Sequence, residues 1–264
     1  MNIINTDIRK TILDMVNKGN ASHVASALSM VEILNAAYKS VNIQKILDQT
    51  SDRDRVILSK GHGTSGLYAV MYHHGLLTQN DIDSYFQNGS IMAGHASHFI
   101  KNVEHSTGAL GHGLSVGLGI AIGSRSKGLN NRVFVVVGDG ELHEGSNWEA
   151  IMYAGHQKTG NLCVLVDKNE RSQMGITAEA CILDPLADKF EAFHFDSHEI
   201  KNGHDEDAIL ETIQETKNSA KPVVIICNTV KGKGISFMEG DNVWHYRPPK
   251  GKDYLNAMKE LNRT

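Results

Sequence analysis

Residues 133–175, VFVVVGDGELHEGSNWEAIMYAGHQKTGNLCVLVDKNERSQMG, decide the fold. They read as an apolar strand, an aspartate between two glycines, a helix, a second apolar strand and a polar turn. Both strand runs, 133–137 and 162–166, are continuously apolar, as expected where a strand is covered on both faces. Trp148, Ile151, Met152 and Gly155 form an apolar stripe on the helix between them, so the unit is a right-handed parallel crossover. Asp139 and Asn169 then fall just past the carboxyl ends of the two strands, the edge at which open α/β sheets bind ligands. Magnesium is usually held by one or two protein side chains together with substrate phosphates, and this pair fits that pattern. Gly138 and Gly140 leave room for a phosphate against the backbone, and a helix beginning near Glu144 would direct its positive end at the anion. The plain alternative, a hairpin at Gly138-Asp139-Gly140, is disfavoured because a helical pattern follows instead of a returning strand.

The rest of the chain extends the same alternation. Ile8, Ile12, Met15 and Val16 predict a first helix that stops near Gly19, and Ile33, Leu34, Ala37 and Tyr38 a second, with Ser29 and Glu32 read as its capping box. Val56-Ile57-Leu58 is a short buried strand leading into Lys60-Gly61-His62-Gly63, and Thr78 with Asp81 opens a short helix. Residues 89–113 have little periodicity but hold His95, Ser106-Thr107-Gly108 and Gly111-His112-Gly113, and a long loop in a compact domain is commonly functional. The helix after it carries Gly117, Gly119 and Gly123, which favour close packing against a neighbour over helix propensity. A helix through Ile209 and Ile213 and a strand over 223–227 complete a mostly parallel sheet with helices on both faces, read as one domain over residues 1–264.

Composition narrows the class of function. In 264 residues, 41% are hydrophobic and 21% charged, and the net charge of -4 leaves no excess of positive charge for nucleic acid or an anionic membrane. No run approaches the roughly 20 apolar residues of a membrane span, and the N-terminus lacks an apolar signal core. Three widely spaced cysteines, Cys163, Cys181 and Cys227, indicate neither a disulfide framework nor a zinc site and fit a reducing cytoplasm. Most of the 14 histidines read as surface or helix-end residues, whereas flanking glycines and strand ends single out His62 and His95. Lys231-Gly232-Lys233-Gly234 reads either as a solvated basic turn or as a loop over phosphates, and Trp148 and Trp244 as packing residues.

Asn169 stands 30 residues after Asp139, and this spacing within strand–GDG–helix–strand–Asn resembles the metal signature of thiamine-diphosphate enzymes. SKGHGTSGLYAV, STGALGHGLSVGLGIAIG, GDGELHEGSNWEA and NTVKGKGISFMEGDNVWH together resemble transketolases, specifically the diphosphate-binding half of those split into two polypeptides. The resemblance implies a thiamine-diphosphate-binding fold. It also implies thiamine diphosphate with Mg²⁺, or Ca²⁺ or Mn²⁺ in its place, held by Asp139, Asn169 and the carbonyl of Arg171. Gly138 and Gly140 would lie against the diphosphate, and Gly108, Ala109 and Leu110 along the pyrimidine side. His62 and His245 would contact cofactor phosphates and sugar, His95 and His23 the sugar hydroxyls, and Glu144 would join active sites across a subunit interface. The implied reaction moves a two-carbon ketol unit from a ketose, or its phosphate, to an aldose. The glutamate that acts on the aminopyrimidine belongs to a pyrimidine-binding partner subunit, giving an α2β2 assembly in which this chain alone is inactive. Departures lie on the sugar side: Ser22-His23-Val24-Ala25 replaces Gly-His-Pro-Gly, His112 replaces a glutamine, Asn228 replaces a lysine, and Tyr246 follows His245 in place of glycine. Two other readings compete, an α subunit of a 2-oxoacid dehydrogenase and a non-catalytic cofactor-binding or regulatory subunit. SKGHG, STG and the KGKG-to-WH segment oppose the first; His62, His95 and His245 oppose the second.

Overall fold

The computed structural model describes residues 3–263; residues 1–2 and 264, the outer ends of the expected domain, lie outside the described residues. Five strands form one sheet: β1 Arg55–Leu58, β2 Val133–Gly138, β3 Leu162–Lys168, β4 Asp196–Ile200 and β5 Val223–Asn228. Their order is β1-β2-β3-β5-β4, and every pairing is parallel, with Val56 beside Phe134, Phe134 beside Cys163 and Cys163 beside Val223. Parallel pairing excludes the hairpin reading of Gly138-Asp139-Gly140.

Because side chains alternate along a strand, each run feeds two cores. Leu58, Phe134, Val136, Leu165 and Ile225 face one side, packed with Ile8 and Ile12 of helix Ile3–Gly19, Ile33 and Leu34 of helix Val31–Lys39, Tyr68 of helix Thr64–His73 and Ile209 of helix Glu206–Glu215. Ile57, Val135, Val137, Val164 and Ile226 face the other, against Leu114 and Leu118 of helix Gly113–Ser126 and Ile151 and Ala154 of helix Gly145–His156. The sheet is therefore covered on both faces, as the sequence predicts. β4, DSHEI, is a partly exposed edge strand with little apolar content and gave no strand signal. Among the described residues no helix is long and apolar enough to cross a membrane.

Several local expectations change. Thr78 and Asp81 do form a capping box, but Ser29 and Glu32 do not: Ser29 donates to Asp167 at 2.6 Å, and Glu32 is the buried partner of Arg9 at 2.7 Å. Long-range ion pairing thus displaces the local cap. On helix Gly145–His156, Met152 is exposed and Ala150, Ile151 and Ala154 form the buried face. Helix Gly113–Ser126 opens on Gly113, where a Cβ would meet Ser59 Oγ at 2.5 Å, and of the three interior glycines expected to pack closely only Gly117 does. A Cβ there would lie 2.4 Å from Val135, whereas Gly119 and Gly123 have open space. Gly155 is tighter, since an added Cβ would meet the Phe193 carbonyl oxygen at 1.7 Å. Gly155→Ala is accordingly expected to destabilise the chain by at least the ~1–3 kcal/mol of an overpacked core. Denaturant unfolding with an unchanged midpoint would contradict this packing.

Candidate functional site

The parallel register brings four carboxyl strand ends to one edge. β1 runs into Ser59, Lys60 and His62, β2 into Asp139, β3 into Asn169 and β5 into Lys231. Over this edge opens a cleft of about 470 Å³. His23, His62, His95 and His245 line it, together with Gly138, Asp139, Gly140, Asn169 and Arg171. Gly108, Leu110 and Glu144 also line it. Ala109 does not: it is exposed on the bend that leads into the turn at Leu110 and Gly111. His112 is exposed and likewise outside the lining. The helix expected near Glu144 begins at Gly145, after a 3₁₀ turn over Gly140–His143, and Glu144 is its exposed N-terminal cap residue.

The acidic corner is built from backbone and side chain together. Asp139 accepts from the Gly140 N–H at 2.9 Å through Oδ1, and from the Glu170 N–H at 2.8 Å and Thr177 Oγ1 at 3.1 Å through Oδ2. Burial, then the neighbouring charge of Asp167, pushes its carboxyl up to about 6. Asn169 donates through Nδ2 to Asp167 at 3.2 Å and Ser29 at 3.3 Å, which leaves Oδ1 as the outward oxygen, accepting from the Arg171 N–H at 3.0 Å. Among the described residues no cluster of three or more His, Cys, Asp or Glu side chains could hold a metal. A cation at this edge must therefore use hard oxygens of mixed origin and share its shell with a ligand. The Asp139 carboxylate, Asn169 Oδ1 and the nearby main-chain carbonyls fit that demand.

The cleft also holds a histidine cluster. Ring centroids of His23 lie 5.5 Å from His62, 6.0 Å from His95 and 5.0 Å from His245, and His62 is 5.6 Å from His245. His23 holds left-handed backbone geometry, φ 70°, rare outside glycine, pinned by its N–H donating to the His245 carbonyl at 2.8 Å. Such strain concentrates at functional sites. Burial is the first cause lowering all four imidazoles. His23 falls to about 4 with His95 and Lys231 adding repulsion, and His245 to about 3 with Lys231 adding most; His62 falls well below the usual range and His95 below it. The rings are therefore neutral near pH 7. Unfolded histidines take up protons near 6.5 while these do not, so folding stability falls as pH drops from about 6.5 towards about 4. The double substitution H23Q/H245Q is expected to flatten the thermal midpoint against pH across that window; an identical slope would contradict the burial argument.

Several lining or supporting residues escaped sequence reading. Lys60 and Asp167 form a buried ion pair beneath the cleft. Asp167 was legible in principle as a charge inside the apolar run LCVLVDKN. Glu141 is buried, accepting from Ser59 Oγ at 2.5 Å and the Gly111 N–H at 3.0 Å. Tyr246 lines the cleft with its ring 4.9 Å from His245 and 5.2 Å from His23. Lys231 is buried, not solvated, its Nζ 3.0 Å from His245 Nδ1.

Residues 1–262 match the family described as transketolase, thiamine diphosphate binding domain. The chain belongs to this transketolase family. It is 39% identical over 255 residues to one of the subunits of the apulose-4-phosphate transketolase of Actinobacillus succinogenes, covering 96% of this chain and 92% of that one. It is 34% identical over 259 residues to a 6-deoxy-6-sulfo-D-fructose transketolase subunit of Clostridium sp., covering 97% and 94%. Transketolase from Pichia stipitis, solved in complex with sedoheptulose-7-phosphate, superposes with a TM-score of 0.90 at 29% identity over 98% of this chain. The match covers 40% of that transketolase, whereas it covers nearly all of the subunit relatives. The parallel sheet and its helices are thus those of the transketolase thiamine-diphosphate-binding fold.

Proposed function

We propose that this chain is the diphosphate-binding subunit of a two-polypeptide transketolase, one domain that binds thiamine diphosphate through a divalent metal, Mg²⁺ in the first instance. The observation that carries the reading is the convergence, in one cleft, of hard oxygens from Asp139 and Asn169 with four neutral histidines. Asp139, Asn169 Oδ1 and the Arg171 carbonyl hold the metal, and Gly138 and Gly140 admit the diphosphate. The bound cofactor supplies the electron sink for breaking and remaking a carbon–carbon bond beside a carbonyl. His62 and His245 orient phosphate and sugar oxygens. His95 and His23 hydrogen-bond sugar hydroxyls, and neutral imidazole nitrogens suit the proton transfers among hydroxyl and carbonyl oxygens that ketol transfer demands. Glu144, exposed at the rim, is placed to meet a second polypeptide.

The donor is a ketose or ketose phosphate and the acceptor an aldose or aldose phosphate, in keeping with the sugars named for the two subunit relatives. The acid that acts on the aminopyrimidine is a glutamate of the pyrimidine-binding partner, with which this chain forms an α2β2 assembly in the cytoplasm. Mixing the two subunits with thiamine diphosphate and Mg²⁺ is expected to give ketol transfer at a rate at least ~10²–10⁴-fold above this chain alone, the share that a positioned acid–base group supplies. Comparable turnover by the isolated chain would overturn the divided site. Release of CO₂ from 2-oxo acids by the reconstituted pair would instead favour the dehydrogenase reading.

A further inference from the structure

Lys231 follows β5 and is 1% exposed, with its backbone fixed by the Gly240 N–H, which donates to the Lys231 carbonyl at 2.9 Å. Its Nζ reaches two atoms: the Ser172 carbonyl at 3.3 Å, on the turn after Asn169, and His245 Nδ1 at 3.0 Å. An ammonium carries three donors and no lone pair, so Nδ1 must be the acceptor and must be bare. A neutral imidazole with a bare Nδ1 carries its proton on Nε2, and this nitrogen has no hydrogen-bond partner among the described residues. His245 lines the cleft whereas Lys231 does not. We propose that Lys231 is a positioning residue that locks His245 in the Nε2–H tautomer, so that this ring faces the cleft as a hydrogen-bond donor and not as a base.

The contrast with His23 gives the lock its meaning. His23 Nδ1 is 2.9 Å from Ser22 Oγ, and a hydroxyl can donate or accept, so either tautomer of His23 is served. One ring of the cluster is thereby committed to donation while its neighbour, 5.0 Å away, is free to exchange a proton. A fixed donor suits an oxygen that stays an acceptor throughout, a phosphate or carbonyl oxygen; a free ring suits a hydroxyl that must be relieved of its proton. The positive charge of Lys231 also keeps His245 from protonating, after burial the largest cause of its low pKa of about 3. Neither arginine nor a neutral apolar residue does both from this position: the second removes the donor, and the first carries a wider planar head.

The tautomer stands on the geometry of this chain alone; what the donor does in sugar transfer rests on the proposed function. The test is therefore made on the full chain without cofactor. With ¹⁵N-labelled histidine near pH 7, long-range ¹H–¹⁵N correlation, with His245 assigned by its loss in H245Q, is expected to show a protonated Nε2 and a bare Nδ1. The bare Nδ1 signal should be displaced upfield from that of a free imidazole nitrogen by its hydrogen bond. In K231M the same ring should shift to the averaged pattern of two exchanging tautomers. A protonated Nδ1 in the unsubstituted chain, a bare Nδ1 without the upfield displacement, or an unchanged pattern in K231M would each overturn the lock. The first two are read on the unsubstituted protein and decide the matter even where K231M does not fold. Failure of ketol transfer in the reconstituted pair with the tautomer intact would count against the functional reading and not against the lock.

Discussion

Asp139→Ala is expected to weaken metal-dependent thiamine-diphosphate binding by more than about 100-fold, beyond the ~10–100-fold usual for losing a group one step behind a metal ligand. The expectation follows from the donor set, in which Asp139 is the one carboxylate among the proposed ligands and so supplies the local charge that a doubly charged cation meets first. Calorimetric titration at fixed Mg²⁺ measures it directly; unchanged affinity would remove the metal assignment. A second signature comes from pH. Buried beside Asp167, the Asp139 carboxyl is raised to about 6 from an ordinary value of 3.8. A raised acid favours the protonated folded state, so the metal-free chain gains stability from this group as pH falls from about 6 towards 4. Metal binding needs the ionised form and declines over the same interval. The stabilisation that Mg²⁺ and cofactor add to the thermal midpoint is therefore expected to shrink between pH 7 and pH 5. A constant increment would count against Asp139 as a ligand.

Asp167→Ala is expected to cost about 3–5 kcal/mol of folding stability, the range for removing one partner of a buried ion pair. Asp167 is fully buried and accepts from Lys60, Thr229 Oγ1, Ser29 Oγ at 2.6 Å and Asn169 Nδ2 at 3.2 Å. Burial opposes its charge, but Lys60 beside it overrides that penalty and holds the carboxyl below its ordinary value. With the carboxylate gone, the ammonium of Lys60, itself 1% exposed, is left without its counter-ion. Adding Lys60→Met to the Ala variant should recover part of the loss, because an apolar pair avoids the stranded charge. Urea unfolding reads both changes; a loss under about 1 kcal/mol for the single variant would mean that the pair is not buried as described. The substitution also removes one of the two acceptors that hold the Asn169 amide, so weaker cofactor binding should accompany the lower stability.

Which parts of this molecule could be read from its sequence follows from the range of the interactions involved. The strand runs at 56–58, 133–137, 162–166 and 223–227 are apolar because both sheet faces are covered, and that requirement is written in consecutive residues. Asp139 and Asn169 were legible because each directly follows a strand end. The edge strand β4 was not, since none of its five residues is fully buried and Ile200 is the one apolar residue among them. Glu32 was misread because a local cap and a distant ion pair place the same residue type at the same position, and Arg9 decided between them. Lys60 with Asp167 and Ser29 with Asp167 are pairings across more of the chain than any local pattern spans, and Lys231 with His245, fourteen positions apart, is also beyond the reach of a helical or strand period. The cleft's polar support is thus the part that only the folded arrangement reveals.

The place of β5 between β3 and β4 has a consequence for how the chain matures. β4 leaves the ribosome before β5 yet has no other strand in the sheet to pair with among the described residues. It must wait, unpaired, until residues 223–228 insert beside β3. Only after that can Lys231 and His245 reach the histidines supplied near residues 23 and 62. By contrast, every side chain of the acidic corner has been translated by residue 177. The histidine side closes last, when nearly the whole chain has been translated, so a nascent chain stalled before residue 245 would hold every residue of the acidic corner and lack one ring of the histidine cluster.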